Sequence, residues 1–167
     1  LETSMRFMEA CRDSHVQNYR IHAFEPDGAS YERCRDMLKN MPDAAITLYH
    51  AGLWSEDTTL YFEEAGNAAS RISKEKTGTS IRAVALDNCV SGPVTFIKMD
   101  IEGAELEALK GSREIIQRYR PRLAISAYHK KEDLVELPLY IKELVPEYKL
   151  YIRHYSNAGV ETVLYAV

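Results

Sequence analysis

The residues best placed for chemistry in this chain are carboxylates and one imidazole that follow apolar runs. Asp100-Ile101-Glu102-Gly103-Ala104-Glu105 puts three carboxylates into six residues directly after the apolar stretch 94–99. Acids in a first helical turn are favoured by the helix dipole, so Glu102 and Glu105 suit capping as well as chemistry. Asp100 falls at the tip of the stretch, where a carboxylate can orient a ligand or accept a proton. His129 follows the apolar run 123–128 and precedes Lys130 and Lys131. An imidazole titrates near neutrality and can take a proton from a hydroxyl. The same placement suits a surface histidine in a basic turn equally well.

Glu25 ends the run Ala23-Phe24-Glu25-Pro26-Asp27. A carboxylate there can accept two hydrogen bonds from a ribose diol, or can be a solvated acid. Gly52-Leu53-Trp54 carries the only tryptophan, which can flank a flat heteroaromatic ring, with Gly52 allowing close backbone approach. A lone tryptophan is more often packing. Of the five histidines, His50 reads as structural, and His15, His22 and His154 have no comparable placement. No two have metal-ligand spacing, so no metal is expected.

These residues need a scaffold of alternating strands and helices, and the apolar pattern supplies one. A helix ends near Cys11, with Met5 and Met8 inward. A strand over 20–25 stops at Pro26-Asp27-Gly28. The helix 30–39 places Tyr31, Cys34 and Leu38 on one face, and a strand covers 45–50. Strands over 58–62 and 80–84 flank a polar loop, 64–79, long enough to be functional. The run 94–99 reads as a strand buried on both faces. A helix from about Gly103 is broken by Gly111, and Ser112 can cap the turn carrying Ile115 and Ile116. The next buried strand is 123–128. Leu137, Ile141 and Leu144 mark a helix, in which Pro138 is tolerable only near the first turn. Runs 149–154 and 162–166, separated by Ser156-Asn157-Ala158-Gly159, form a hairpin.

The chain has 167 residues, 46% hydrophobic and 28% charged, which suits one soluble domain spanning 1–167. A net charge of −4 without a Lys/Arg run gives no footprint for nucleic acid. No stretch approaches the roughly 20 apolar residues of a membrane span. Leu1-Glu2-Thr3-Ser4 has neither an initiator Met nor signal-peptide character, so a cut from a longer, cytoplasmic chain is expected. The three cysteines, Cys11, Cys34 and Cys89, are far apart and read as reduced and structural.

Three runs together resemble FkbM-type methyltransferases. They are Ala23 to Asp27, the stretch Phe96-Ile97-Lys98-Met99-Asp100-Ile101-Glu102-Gly103-Ala104-Glu105 with Leu109-Lys110-Gly111, and Arg120-Pro121-Arg122-Leu123-Ala124-Ile125-Ser126. The similarity runs in order from about Tyr19 to Val167. It implies a Rossmann-like class I methyltransferase sheet of seven strands, mostly parallel, with S-adenosylmethionine across the strand tips. By that resemblance Glu25, with Pro26 beside it, holds the ribose, and Gly52-Leu53-Trp54 lies near the adenine. Asp100 faces methyl donor and acceptor, and the acceptor is a small-molecule hydroxyl, often on a sugar or secondary metabolite.

One departure stands out. The family's first strand and its Gly-rich turn have no match before Arg20, and Gly28 is the first glycine. Upstream residues, direct pairing of the Glu25 and Asp100 strands, or a homo-oligomer through that seam is therefore expected. The reading is an O-methyltransferase with His129 as base and Asp100 positioning acceptor or methyl. An NAD-dependent enzyme remains compatible with Glu25, and so does a non-catalytic remnant of the fold.

Overall fold

Each short run of branched and aromatic residues becomes a strand, and each run of helical period becomes the helix that connects two of them. The computed structural model describes residues 1–63, 71–73, 79–156 and 161–167. They form two compact units, Leu1–Gly52 with Thr58–Ala83, and Leu53–Asp57 with Val84–Val167.

In the first unit, helix α1 (Glu2–Asp13) buries Met8 and Cys11, one turn apart. Strands β1 (Ile21–Phe24) and β2 (Ile46–Tyr49) pair in parallel, Ile21 opposite Ile46 and Phe24 opposite Tyr49. Parallel neighbours need a crossover, which is helix α2 (Gly28–Lys39). Asp27 starts that helix by accepting the Ser30 N–H at 2.8 Å. Phe24 and Tyr49 stack at 4.5 Å across the pair. A second sheet runs in the order β3 (Gly52–Leu53), β6 (Thr79–Val84), β4 (Thr58–Glu63), β5 (Arg71–Ser73). Within it β4 is antiparallel to both β5 and β6. The long loop expected over 64–79 therefore contains a strand of its own and the first residue of β6. Residues 64–70 and 74–78 lie outside the described residues.

The second unit is built on the order β7 (Phe96–Met99), β8 (Arg122–Ser126), β10 (Thr162–Ala166), β9 (Leu150–His154). β7 and β8 are parallel, with Met99 opposite Ile125. β10 is antiparallel to β8 and to β9, which is the expected C-terminal hairpin. Of its expected turn, residues 157–159 lie outside the described residues. Short helices α3 (Leu86–Cys89), α4 (Glu105–Lys110) and α5 (Arg113–Tyr119) join α6 (Asp133–Leu144) around the sheet. Met99, Leu109, Ile116, Leu123, Ile125, Leu137, Ile141 and Leu164 are fully buried at the centre.

Five expectations need correction here. β8 is buried along its length from Leu123, but β7 alternates, with Ile97 and Met99 inside and Phe96 and Lys98 exposed. Among the described residues β7 is an edge strand, and its face carrying Phe96 and Lys98 is uncovered. The helix expected from Gly103 begins only at Glu105, because Glu102 and Gly103 take left-handed backbone (φ 56° and 90°). Ser112 does not cap α5 with its side chain; its hydroxyl donates back to the Ala108 carbonyl at 2.6 Å. The cap comes from Asp87, whose carboxylate accepts the Glu114 and Ile115 N–H groups at 2.9 Å each. Pro138 lies inside α6 rather than in its first turn, on a helix whose flanking Leu134 and Leu139 are exposed. The carbonyl that loses its partner is thus on a wet face, which limits the cost. Finally, the strands of the described residues form hydrogen-bonded sheets of two, four and four strands instead of one of seven.

Gly111 ends α4 for a steric reason. A Cβ built there would stand 2.0 Å from the Trp54 carbonyl oxygen, a backbone atom that cannot swing aside. The Trp54 N–H is itself fixed on the Val84 carbonyl at 2.9 Å. We predict that Gly111→Ala destabilises the protein by at least about 1–3 kcal/mol, read as a lower urea midpoint. A midpoint equal to wild type would show that the Trp54 segment yields freely.

Candidate active site

The parallel pairing of β7 with β8 sets two strand tips side by side, and the residues after them meet. Asp100 follows Met99, and Tyr128 and His129 follow Ala127. The Tyr128 hydroxyl donates to Asp100 Oδ1 at 3.0 Å, and Lys98 Nζ donates to Oδ2 at 3.4 Å. His129 Nε2 lies 3.8 Å from Asp100 Oδ1 and 3.5 Å from Glu102 Oε2. The Tyr128 and His129 rings lie 4.1 Å apart. Asp100 remains 41% exposed along its side chain, whereas His129 is only 10% exposed, so the carboxylate is the open partner.

Charge state follows from these contacts. Burial pushes the Asp100 carboxyl up, but the Ser126 and Tyr128 hydroxyls and the Lys98 ammonium outweigh it, and its pKa falls below the ordinary value. Tyr128 moves the other way: burial first, then the hydrogen bond to Asp100 and its charge, push the phenol up to about 12. At neutral pH Tyr128 is therefore a fixed donor and Asp100 a fixed anion.

Beneath them sits a group that the first-turn reading of the acids missed. Glu105 is fully buried, and its Oε1 accepts the Ile101 N–H at 2.9 Å while lying 3.0 Å from His129 Nδ1. Asp133 is also buried and accepts the Lys130 N–H at 2.8 Å. Polar atoms of Glu105, His129 and Asp133 all lie within 4.8 Å of one another. The spacing His129-x-x-x-Asp133 was the signal in the chain. Gly103 suits this turn because its φ of 90° is left-handed backbone that a side chain would strain.

In the first unit, Glu25 ends β1 with its N–H on the Tyr49 carbonyl, and its Oε1 accepts the Asp27 N–H at 3.1 Å. Pro26 lies against Gly52, where a Cβ would make ordinary contact at 3.6 Å, so the chain itself does not demand glycine there. Glu25, Pro26 and Gly52 are thus neighbours. Leu53 and Trp54 belong to the second unit, where Trp54 meets Gly111. His50 stacks on Tyr31 at 4.4 Å, a structural place.

An α/β chain of mixed sheets, with acids and an imidazole after two adjacent parallel strands, has the general architecture of Rossmann-like enzymes. Residues 6–153 match the family of the methyltransferase FkbM domain, and the chain belongs to that family. It is similar to the hexuronic acid methyltransferase AglP of Haloferax volcanii, 34% identical over 104 residues, which is 58% of this chain and 43% of that protein. It also superposes on the crystal structure of the methyltransferase FkbM from Methylobacillus flagellatus KT with a TM-score of 0.77 and 29% identity, over 98% of this chain and 40% of that one. The chain spans less than half the length of either relative.

Because hydrogen bonding lowers the Asp100 pKa, its contribution to stability is present above the ordinary carboxylate range and lost as pH falls through the depressed value. We predict that Tyr128→Phe raises the Asp100 pKa, seen in the carboxyl carbon shift during an NMR titration. The stability gap between wild type and variant should close in acid. A gap that widens there would contradict the assignment.

Proposed function

We propose that the protein transfers a methyl group from S-adenosylmethionine to a hydroxyl oxygen of a sugar, with an acidic sugar of the hexuronic class first among acceptors. The observation that carries this reading is the Asp100–His129 pair at adjacent strand tips, one open anion beside one enclosed imidazole. Family membership and the hexuronic acid methyltransferase among its relatives support it. The family match runs through both compact units, which supports reading them as parts of one methyltransferase domain.

The donor set suits the cofactor in type: the Glu25 carboxylate, at a strand tip and braced by the Asp27 N–H, can accept from a ribose diol. Pro26 and Gly52 lie beside it, and the family resemblance is the ground for assigning Leu53 and Trp54 to the adenine. S-adenosylmethionine supplies, when bound, an electrophilic methyl whose bond to sulfur breaks as the bond to oxygen forms. The chain's own residues orient and deprotonate the acceptor. Asp100, held anionic, accepts a hydrogen bond from the hydroxyl and fixes its direction. His129 Nε2 receives the proton, since a carboxylate of depressed pKa is a poor base. Alignment of this kind is worth up to ~7–11 kcal/mol, and the base adds roughly 10²–10⁴-fold.

Two features bear on setting. No helix among the described residues is long and apolar enough to cross a membrane. Cys11 and Cys34 are buried thiols, which suits a reducing, cytoplasmic location.

The test is a labelled methyl donor offered with a panel of sugar hydroxyls, together with calorimetry against S-adenosylmethionine and NAD. We expect S-adenosylmethionine to bind and a uronic acid to be labelled. Glu25→Ala should weaken the cofactor by about 1.5–3 kcal/mol, and His129→Ala should lower kcat at least ~10-fold with cofactor affinity nearly intact. Binding of NAD alone, or of neither compound, would displace the proposal in favour of another nucleotide enzyme or a non-catalytic module.

A further inference from the structure

His129 sits among four carboxylates. Asp100 and Glu102 lie on its Nε2 side and Glu105 on its Nδ1 side, with a carboxylate oxygen of Asp133 within 4.8 Å of Glu105 and of the ring, Tyr128 beside the ring and the stem of Lys130 over Gly103. Two of these carboxylates are enclosed: Glu105, on the Nδ1 side, is 0% exposed, and Asp133 is 5% exposed. Glu105 Oε2 has no hydrogen-bond partner, and Nδ1, though 3.0 Å from Oε1, makes no aligned bond either. Two buried carboxylates this close call for a hydrogen-bond donor directed at them. The imidazole is the member of the cluster that can supply it, as a proton on Nδ1. A divalent cation fits less well. Each carboxylate already engages a backbone N–H, on Ile101 and on Lys130. The three side chains are also one ligand short of the four that a closed zinc site uses.

We propose that Glu105 and Asp133 are positioning residues that keep a proton on His129 Nδ1 and thereby reserve Nε2 for proton exchange at the open face beside Asp100. Fixing the tautomer through the remote ring nitrogen is what makes an imidazole a directional base. The use of Nε2 on an acceptor hydroxyl rests on the methyl-transfer reading; the location of the proton does not.

The deciding measurement is ¹⁵N NMR of the His129 ring in the full-length protein, compared with Glu105→Gln and Asp133→Asn. Wild type, above the pH where the ring loses its charge, should show a protonated Nδ1 and a bare Nε2. Glu105→Gln keeps shape but removes the charge, and should turn this into a mixture or the reverse pattern. Its kcat should fall at least ~10-fold with KM for S-adenosylmethionine little changed. If Glu105→Gln fails to fold, Asp133→Asn is read the same way. An Nε2–H tautomer in wild type, or an unchanged pattern in a folded variant, overturns the proposal. Stoichiometric zinc or manganese in the purified protein, lost from Glu105→Gln, overturns it in favour of a metal. Should wild type methylate nothing while the nitrogen pattern is as expected, the activity reading fails and the positioning role stands.

Discussion

A carboxylate with no exposure to water is the costliest group in this fold, and Glu105 is one. It is kept by what it joins. One of its oxygens receives the Ile101 N–H from the turn after β7 and also faces His129 from the loop after β8. Two loops that leave adjacent parallel strands are thereby tied at a single point. The left-handed pair Glu102 and Gly103 follows from this tie, because the chain must fold back for Ile101 to reach a side chain four residues ahead. Asp100 stands at the start of that fold-back and is presented to the open side.

The open side divides its labour by charge. Asp100 is surrounded by donors, namely the Tyr128 and Ser126 hydroxyls and the Lys98 ammonium, and these hold it ionised. An anion stabilised in this way is a good acceptor of hydrogen bonds and a poor acceptor of protons. Proton transfer therefore falls to a neighbour of different chemistry. His129 Nε2, 3.8 Å from Asp100 Oδ1, is that neighbour. Tyr128, pushed up to about 12, does not compete for the role, since it holds its own proton throughout the physiological range.

Much of this was legible in the chain. The parallel pairs, the C-terminal hairpin and the two strand-tip residues Asp100 and His129 follow from short apolar runs ended by polar residues. What was not legible depends on partners far away in sequence. Glu105 looked like an acid suited to the helix dipole, and nothing local says that its first turn is sealed by the loop at His129 and the start of α6. Phe96 and Lys98 read as buried because strand patterns do not say which faces will be covered. Strand β5 was invisible inside a polar stretch, as three residues carry no periodicity. Pro138 was expected in a first turn, whereas the exposure of Leu134, whose carbonyl loses its N–H partner, relaxes the rule.

The frame around Glu105 explains why so short a helix as α4 can hold it. Six residues are too few for a helix to be stable alone, so its position must come from tertiary contacts. At its C-terminal end the Trp54 carbonyl presses on Gly111, which admits no side chain, and the Gly111 carbonyl accepts the Asp87 N–H at 3.0 Å. Asp87 then caps α5, and the Ser112 hydroxyl closes back on Ala108. Along its inner face Ala108 and Leu109 are fully buried, and α6 packs against it. The C-terminal end of α4 is thus held by backbone groups, which cannot change rotamer, and its inner face by close packing. A carboxylate carried on its first residue stays where it is put, so the turn after β7 and the ring of His129 share one rigid reference.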